Sequence, residues 1–432
     1  MGRTLVEKVF ADHVGHDVRT GDVVVSPVDF VFSHDGNRPQ PTQTFRELGG
    51  DRVFDADKVA LFLDHAPNVH TTAVSELHNE MRGFAADQGV RLYEIGRGIS
   101  HQVLPEEGHA VPGRVIVGSD SHTCTAGAFN LLATGVGSTD LAVAMMLGKL
   151  WFKVPATRRV VLTGRPAAGV YSKDLVLAVL GELTADGATY QAVEYVGDAL
   201  AALSMQARMT MTNMAVEMGA KFGVMEADAT TRAFLDDHGV SVDRTYASDD
   251  DAEFVGVHEI DVAALEPQVA LPPHPDDVRP VSEVAGTPIS QATIGTSANG
   301  QLEDLRAAAY VLRGRRIAPG VRVFVAPSSR HAYFAALAEG LVTEFVEAGA
   351  VWGTPGCSGC TGASAFGVPG DGENMITSAP RNFVGRTGNR NAHIYLASPA
   401  TVMASAIEGA IADPRPYVRD GASTGEPAGA TA

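Results

Sequence analysis

The sequence predicts a layered α/β protein, and three observations carry the prediction. Short apolar runs bounded by turn residues alternate along the chain with segments whose apolar residues recur at helical spacing. At 432 residues the chain exceeds what one compact core holds, so two or three domains are expected. With 45% hydrophobic and 19% charged residues, the composition is that of an ordinary globular protein.

The opening stretch from Met1 to Phe10 reads as an amphipathic helix, with neither a signal peptide nor an apolar span of membrane length. The runs 21–27 and 59–65 read as buried strands. The second ends in Asp64-His65, at the C-terminal strand edge where α/β sheets gather ligands. A helix over 72–88, a strand over 90–95 and a glycine-softened loop reaching His101 follow. The stretch 113–122 reads as a strand running into the polar loop Asp120-Ser121-His122, and 138–154 as a helix capped by Ser138 or Thr139. Next come a strand at 159–163 and helices at 173–183 and 198–219, the last long enough to break in two. Residues 265–284, rich in Pro, Asp and Val without helical period, read as a joining segment. Strands at 292–295 and 321–326 and helices at 302–313, 331–339 and 343–348 lead to a glycine-rich cysteine loop. The tail is rich in Gly, Ala, Ser and Pro and reads as disordered.

Asp plus Glu (51) exceeds Lys plus Arg (33), a net charge of −18, which disfavours a broad nucleic-acid or anionic-membrane surface. An anionic ligand would need arginines inside a cleft. Three cysteines make no disulfide framework, and a reducing cytoplasmic setting suits them.

Cys357 and Cys360 form a C-x-x-C pair framed by glycines, a spacing that lets two thiolates close on one metal centre. Asp64-His65, His101 and Asp120-Ser121-His122 place three histidines in loops at one sheet end. Carboxylates beside imidazoles suit proton transfer near neutral pH. Any one of these histidines alone would read as a satisfied polar residue. Asn213 and Glu217 stand four apart on one helix face, which by itself reads as a solvated surface. Arg381 and Arg386 share a short loop, and guanidinium groups suit bidentate carboxylate binding. Gly135-Val-Gly137 lacks the third glycine of a dinucleotide loop and reads as a turn into a helix; no P-loop, H-E-x-x-H or G-x-S-x-G motif occurs. Ser328-Ser329-Arg330 reads as a turn or a helix cap.

Four longer stretches carry a resemblance: 117–127 (Val-Gly-Ser-Asp-Ser-His-Thr-Cys-Thr-Ala-Gly), 133–140 (Ala-Thr-Gly-Val-Gly-Ser-Thr-Asp), 149–155 (Lys-Leu-Trp-Phe-Lys-Val-Pro) and 212–220 (Thr-Asn-Met-Ala-Val-Glu-Met-Gly-Ala). With the cysteine and arginine loops, they resemble the aconitase superfamily from Leu5 to about Pro414, within it the large subunits of the two-subunit 3-isopropylmalate dehydratase and homoaconitase group. The resemblance implies three α/β/α domains around a central cleft, expected at 1–155, 156–284 and 285–415, with a tail at 416–432. It implies a 4Fe-4S cluster acting as a Lewis acid in reversible water loss from a hydroxy di- or tricarboxylate. Carried over by motif, Asp64-His65 is the acid pair, with His65 protonating the departing hydroxyl; His101 pairs with Asp120 and His122 with Glu217. Ser121, Arg381 and Arg386 hold substrate carboxylates, Asn213 lies beside the cluster, and Cys357 and Cys360 are two cluster ligands. The swivelling fourth domain of single-chain members is expected on a separate small subunit.

The chain departs from that pattern on one side. The loop that supplies the third cluster cysteine reads Gly295-Thr-Ser-Ala-Asn-Gly300, with Ser297 at the cysteine position. Pro380 replaces the usual Asn before the first loop arginine, and Met375 stands where a smaller residue is common. A hydroxyl gives up its proton far less readily than a thiol. Three readings follow: an altered metal centre with Ser297 or Cys124 as third ligand; an enzyme using a single metal ion or only acid–base residues; or a non-catalytic scaffold subunit.

Overall fold

The computed structural model describes residues 2–37 and 40–418, and its architecture is mixed α/β. The first sheet is wholly parallel, its strands in the spatial order Arg91–Tyr93, Val59–Phe62, Phe30–His34, Val115–Gly118, Leu132–Gly135. Its three central strands are buried along their whole length. Parallel strands covered on both faces read as unbroken apolar runs, and these do. Alternate residues feed two cores: Val31, Val59, Leu61, Val115 and Val117 on one face, Phe30, Phe32, Ala60, Phe62 and Ile116 on the other. Full burial of each such side chain contributes roughly 1.5–3 kcal/mol.

A second parallel sheet runs Phe222–Met225, Ala192–Val196, Thr157–Thr163, Gly256–Asp261. The third has seven strands. Val351–Trp352, Arg322–Val325, Gln291–Ile294, Asn374–Thr377 and His393–Ala397 are parallel, with Gln268–Ala270 and Val278–Pro280 added antiparallel at one edge.

Several elements differ from the sequence reading. Residues 23–27 form a strand, but one exposed along alternate positions, paired antiparallel with Lys149–Lys153 in a two-stranded ribbon. The helix expected over 138–154 ends at Leu147 on Gly148 in the left-handed region, and its N-cap is Gly137. The stretch 265–284 holds two strands and a short helix instead of an irregular segment. The long helix expected over 198–219 is broken at Leu203-Ser204 and finishes in a 3-10 turn. Of the tail, residues beyond 418 lie outside the described part.

Candidate active site

The first sheet places its chemistry by the parallel rule, with polar residues just past the C-terminal ends of the strands. Asp35 follows Phe30–His34, Asp64 and His65 follow Val59–Phe62, and Asp120 follows Val115–Gly118. His101 enters from the helix Ser100–Glu106.

Asp120 sits at the centre. His65 Nε2 is 3.0 Å from Asp120 Oδ2, and its Nδ1 is 2.7 Å from Asp64 Oδ1. Nε2 of His101 and Nδ1 of His122 each lie 3.4 Å from Asp120 Oδ1. On its far side His122 Nε2 is 2.9 Å from Glu217 Oε1, and Arg381 Nε donates to the same oxygen at 2.7 Å. The sequence-predicted histidines and carboxylates are therefore one buried network. Glu217, the second half of the Asn213–Glu217 pair, meets His122 and is buried, not part of a solvated helix surface.

Burial sets the electrostatics, and opposite charges overcome it. Desolvation would push the His65 imidazolium down, but Asp64 and Asp120 on either side hold it well above the ordinary histidine value. Desolvation would likewise raise Asp120, but the surrounding histidines hold it well below the carboxylate range. Glu217 is lowered despite its burial, by His122 and Arg381. His122 is raised, because contacts to Asp120 and Glu217 outweigh desolvation and the nearby Arg381 charge. Such a site keeps a proton on imidazole near neutral pH, next to carboxylates that stay ionised.

A cavity of about 250 Å³ opens on this network. Its lining includes His65, Asp120, Ser121, His122, Cys360, Arg381 and Arg386, so the structure brings these predicted residues to one space. Asp64, His101 and Glu217 stand behind them. Asn213 is fully buried, and its Nδ2 donates to Thr125 Oγ1 at 2.8 Å, away from the residues lining the cavity.

His34 also lines this cavity, and the sequence reading missed it. Its ring stacks on His65 with centroids 4.0 Å apart and its Nε2 lies 3.7 Å from Asp120 Oδ2. Asp35 is missed as well. Its carboxylate accepts from the backbone N–H groups of Asp64, His65 and Ala66 at 3.1, 2.7 and 3.0 Å, and lies 2.8 Å from His78 Nε2. The available signal was the run Phe30-Val-Phe-Ser ending in His34-Asp35, the same strand-end pattern as at Asp64-His65.

The cysteine loop is stitched to the acid pair. Cys357 N–H donates to the Asp64 carbonyl at 2.8 Å, and Gly356 packs so that a Cβ would meet that carbonyl oxygen at 2.7 Å. Gly359, between the cysteines, has a left-handed φ of +79°, and a Cβ there would meet the Thr293 methyl at 2.8 Å. Thr293 belongs to the strand that leads into the Ser297 loop. Both thiols are buried, and Arg386 Nη2 donates to Cys360 Sγ at 2.9 Å. The hydrogen bond shared between the cysteines, with the Arg386 guanidinium, holds the Cys360 thiol down; that hydrogen bond and burial push the Cys357 thiol up. Cys124 lies elsewhere: its thiol points to the Asn213 carbonyl at 3.4 Å, and burial pushes it up to about 12, the behaviour of an inert core thiol.

The donors around this loop test whether a metal group fits. Among the described residues, no His, Asp, Glu or further Cys forms a three-donor group with the cysteine pair; the only such group is His34, Asp35, Asp64 and His65. Near this loop, the buried polar atoms without partners include Ser297 Oγ and Thr296 Oγ1, on the loop after the strand that packs against Gly359, and Arg386 Nε. Buried polar groups are rarely left unmet, so the unpartnered Ser297 hydroxyl and the buried cysteine pair are compatible with a polar or metallic ligand.

The sequence matches the profile of the Aconitase family (aconitate hydratase) over residues 7–409. It is 46% identical to the 3-isopropylmalate dehydratase large subunit 1 of Methanopyrus kandleri, over 97% of this chain and all of that one. It is 45% identical to the 3-isopropylmalate dehydratase large subunit 1 of Thermotoga maritima, over 97% and 100% of the two chains. The probable methanogen homoaconitase large subunit of Methanothermobacter thermautotrophicus is 43% identical, over 96% of this chain and 99% of that one.

Proposed function

This chain belongs to the aconitase family, and from that premise we propose that it dehydrates and rehydrates an isopropylmalate-like or homocitrate-like acid, with the residues around Asp120 as its catalytic machinery. It is an aconitase-like hydro-lyase acting on hydroxy carboxylates, and it works with a small subunit. The observation that carries the site assignment is His65, held between Asp64 and Asp120 and facing the cavity that Arg381 and Arg386 also line.

Loss of hydroxide needs a proton donor at the leaving oxygen and a partner for the carboxylates. His65 is the donor, giving the Nε2–H that rests on Asp120 and becoming neutral. Its Nδ1–H stays on Asp64, which fixes the ring, and Asp64 and Asp120 keep the imidazole charged beforehand. Arg381, Arg386 and Ser121 line the same space and hold substrate carboxylates there. Glu217 orients Arg381 and His122 together through one oxygen. The family implies a 4Fe-4S cluster, and we assign its protein ligands here to Cys357, Cys360 and the Ser297 hydroxyl. When bound, it supplies Lewis-acid polarisation of the departing hydroxyl and a neighbouring carboxylate. The small subunit, on this proposal, carries the swivelling domain and the base, and the complex resides in the cytoplasm, where three unbridged cysteines stay reduced. Ser297 also favours a second reading, in which the same acid–base residues work with a single metal ion or none.

The test is the formation of unsaturated acid, followed by ultraviolet absorbance, with the anaerobically prepared complex. His65→Gln is expected to lower kcat by about 10²–10⁴-fold with a much smaller change in KM. An unchanged kcat removes His65 from the reaction.

A further inference from the structure

One buried charged residue has no place in the chemistry above. Lys173 lies in the first turn of the helix Ser172–Leu183, with no exposed surface. A cation there faces the positive end of the helix dipole, and it has left water entirely. Burial pushes the Lys173 ammonium down to about 7, partly offset by Glu217, Asp304, Asp174 and Cys360. A methionine would fill the space without that desolvation. Nζ reaches the end of the strand Asn374–Thr377, donating to the carbonyls of Ser378 and Ala379 at 3.1 and 2.9 Å, and either protonation form has enough N–H bonds for both.

Those two carbonyls lead directly into Pro380-Arg381. Pro380 has no N–H, so the backbone offers no donor of its own at that residue. Ser378 also reaches the other way: its Oγ accepts from Gly295 N–H at 3.1 Å and contacts the Asn299 carbonyl at 3.2 Å, closing the loop that holds Ser297. One amine thus meets the junction from which both Arg381 and the Ser297 loop are set.

We infer that Lys173 is a positioning residue: by gripping the Ser378 and Ala379 carbonyls it fixes Arg381 against Glu217 and so sets the substrate-carboxylate site. The inference rests on the carboxylate role proposed above for Arg381. A packing role alone would lower the folded fraction and leave the affinity of the folded protein unchanged. A positioning role changes affinity, and on this inference it does so through Arg381.

The experiment is a double-mutant cycle on the complex with its small subunit, read by calorimetric Kd for isopropylsuccinate and tricarballylate, two carboxylates without a departing hydroxyl. Lys173→Met is expected to weaken binding by about 10- to 100-fold, the scale of one hydrogen bond to a charged group. Arg381→Ala is expected to weaken it at least as much, and the double variant no further than Arg381→Ala alone. Lys173→Gln, one atom shorter but still a donor, serves if the methionine variant does not fold; it is expected to shift affinity the same way by less, again without effect in the Arg381→Ala background. Losses that multiply, or wild-type affinity in a folded Lys173 variant, overturn the inference while leaving the carboxylate site standing. Failure of the wild-type complex to bind either acid overturns the carboxylate reading, and this inference with it.

Discussion

At the scale of residues, His65 depends on its two carboxylates for the proton it is assigned to give. Its folded value lies above the unfolded one, near 6.5 for a free histidine. Its contribution to stability is therefore complete below about pH 6.5 and is lost as pH rises through the folded value. Activity that needs the imidazolium falls on that same alkaline limb. Asp120→Asn removes one of the two charges, so the alkaline limb of kcat against pH is expected to move to lower pH; an unmoved limb assigns the titration elsewhere. This site was largely legible in the sequence, because short polar motifs at strand ends need only the parallel-sheet rule to be brought together. His34 and Asp35 escaped because the strand carrying them follows closely on the exposed ribbon strand 23–27, and only pairing separates the two. Lys173 escaped because burial of a charge leaves no mark in periodicity.

At the scale of elements, the acid pair is held by a neighbouring strand end. Asp35 gathers three backbone N–H groups of the loop that presents His65, and His78 from the helix Thr72–Gln88 closes the set. Desolvation would raise its carboxyl, but His78 and the His65 loop hold it down to about 2. Its contribution is present above the unfolded value near 4 and lost as pH falls toward 2. Asp35→Asn cannot accept from all four donors, so it is expected to cost about 1–3 kcal/mol in chemical denaturation and to lower kcat with it. Wild-type stability in that variant would make the carboxylate dispensable. Elements were less legible than the site. The helix expected to Val154 stops at Gly148 because a left-handed glycine ends it and Lys149–Lys153 finds a strand partner, 122 positions earlier or more in sequence. Likewise, 268–270 is a strand because the edge of the third sheet is there to receive it. Both outcomes are tertiary choices that local composition does not encode.

At the scale of the whole molecule, an acidic chain concentrates its cavity arginines on one loop and closes its site with a neighbouring cysteine turn. The family match spans residues 7–409, nearly the whole described chain. Ser297 Oγ is buried without a partner on the loop after the strand that packs against Gly359, and on the proposal above it is the third cluster ligand. An oxygen corner binds a cluster less firmly than a thiolate. Ser297→Cys is therefore expected to raise iron and acid-labile sulfide per chain after anaerobic reconstitution and to slow their loss in air; equal retention in both proteins would place the third ligand elsewhere.

The central claim is that this cavity removes and restores water on a hydroxy carboxylate. It is tested most directly by incubating the reconstituted complex in deuterium oxide with isopropylmalate and, separately, with homocitrate, followed by proton NMR. The account predicts that one of the two acids exchanges its abstracted carbon-bound proton for deuterium and yields its positional isomer, and that the His65→Gln complex does neither. A wild-type complex that holds iron and binds the acid, yet exchanges no proton and forms no isomer or unsaturated acid, would contradict it.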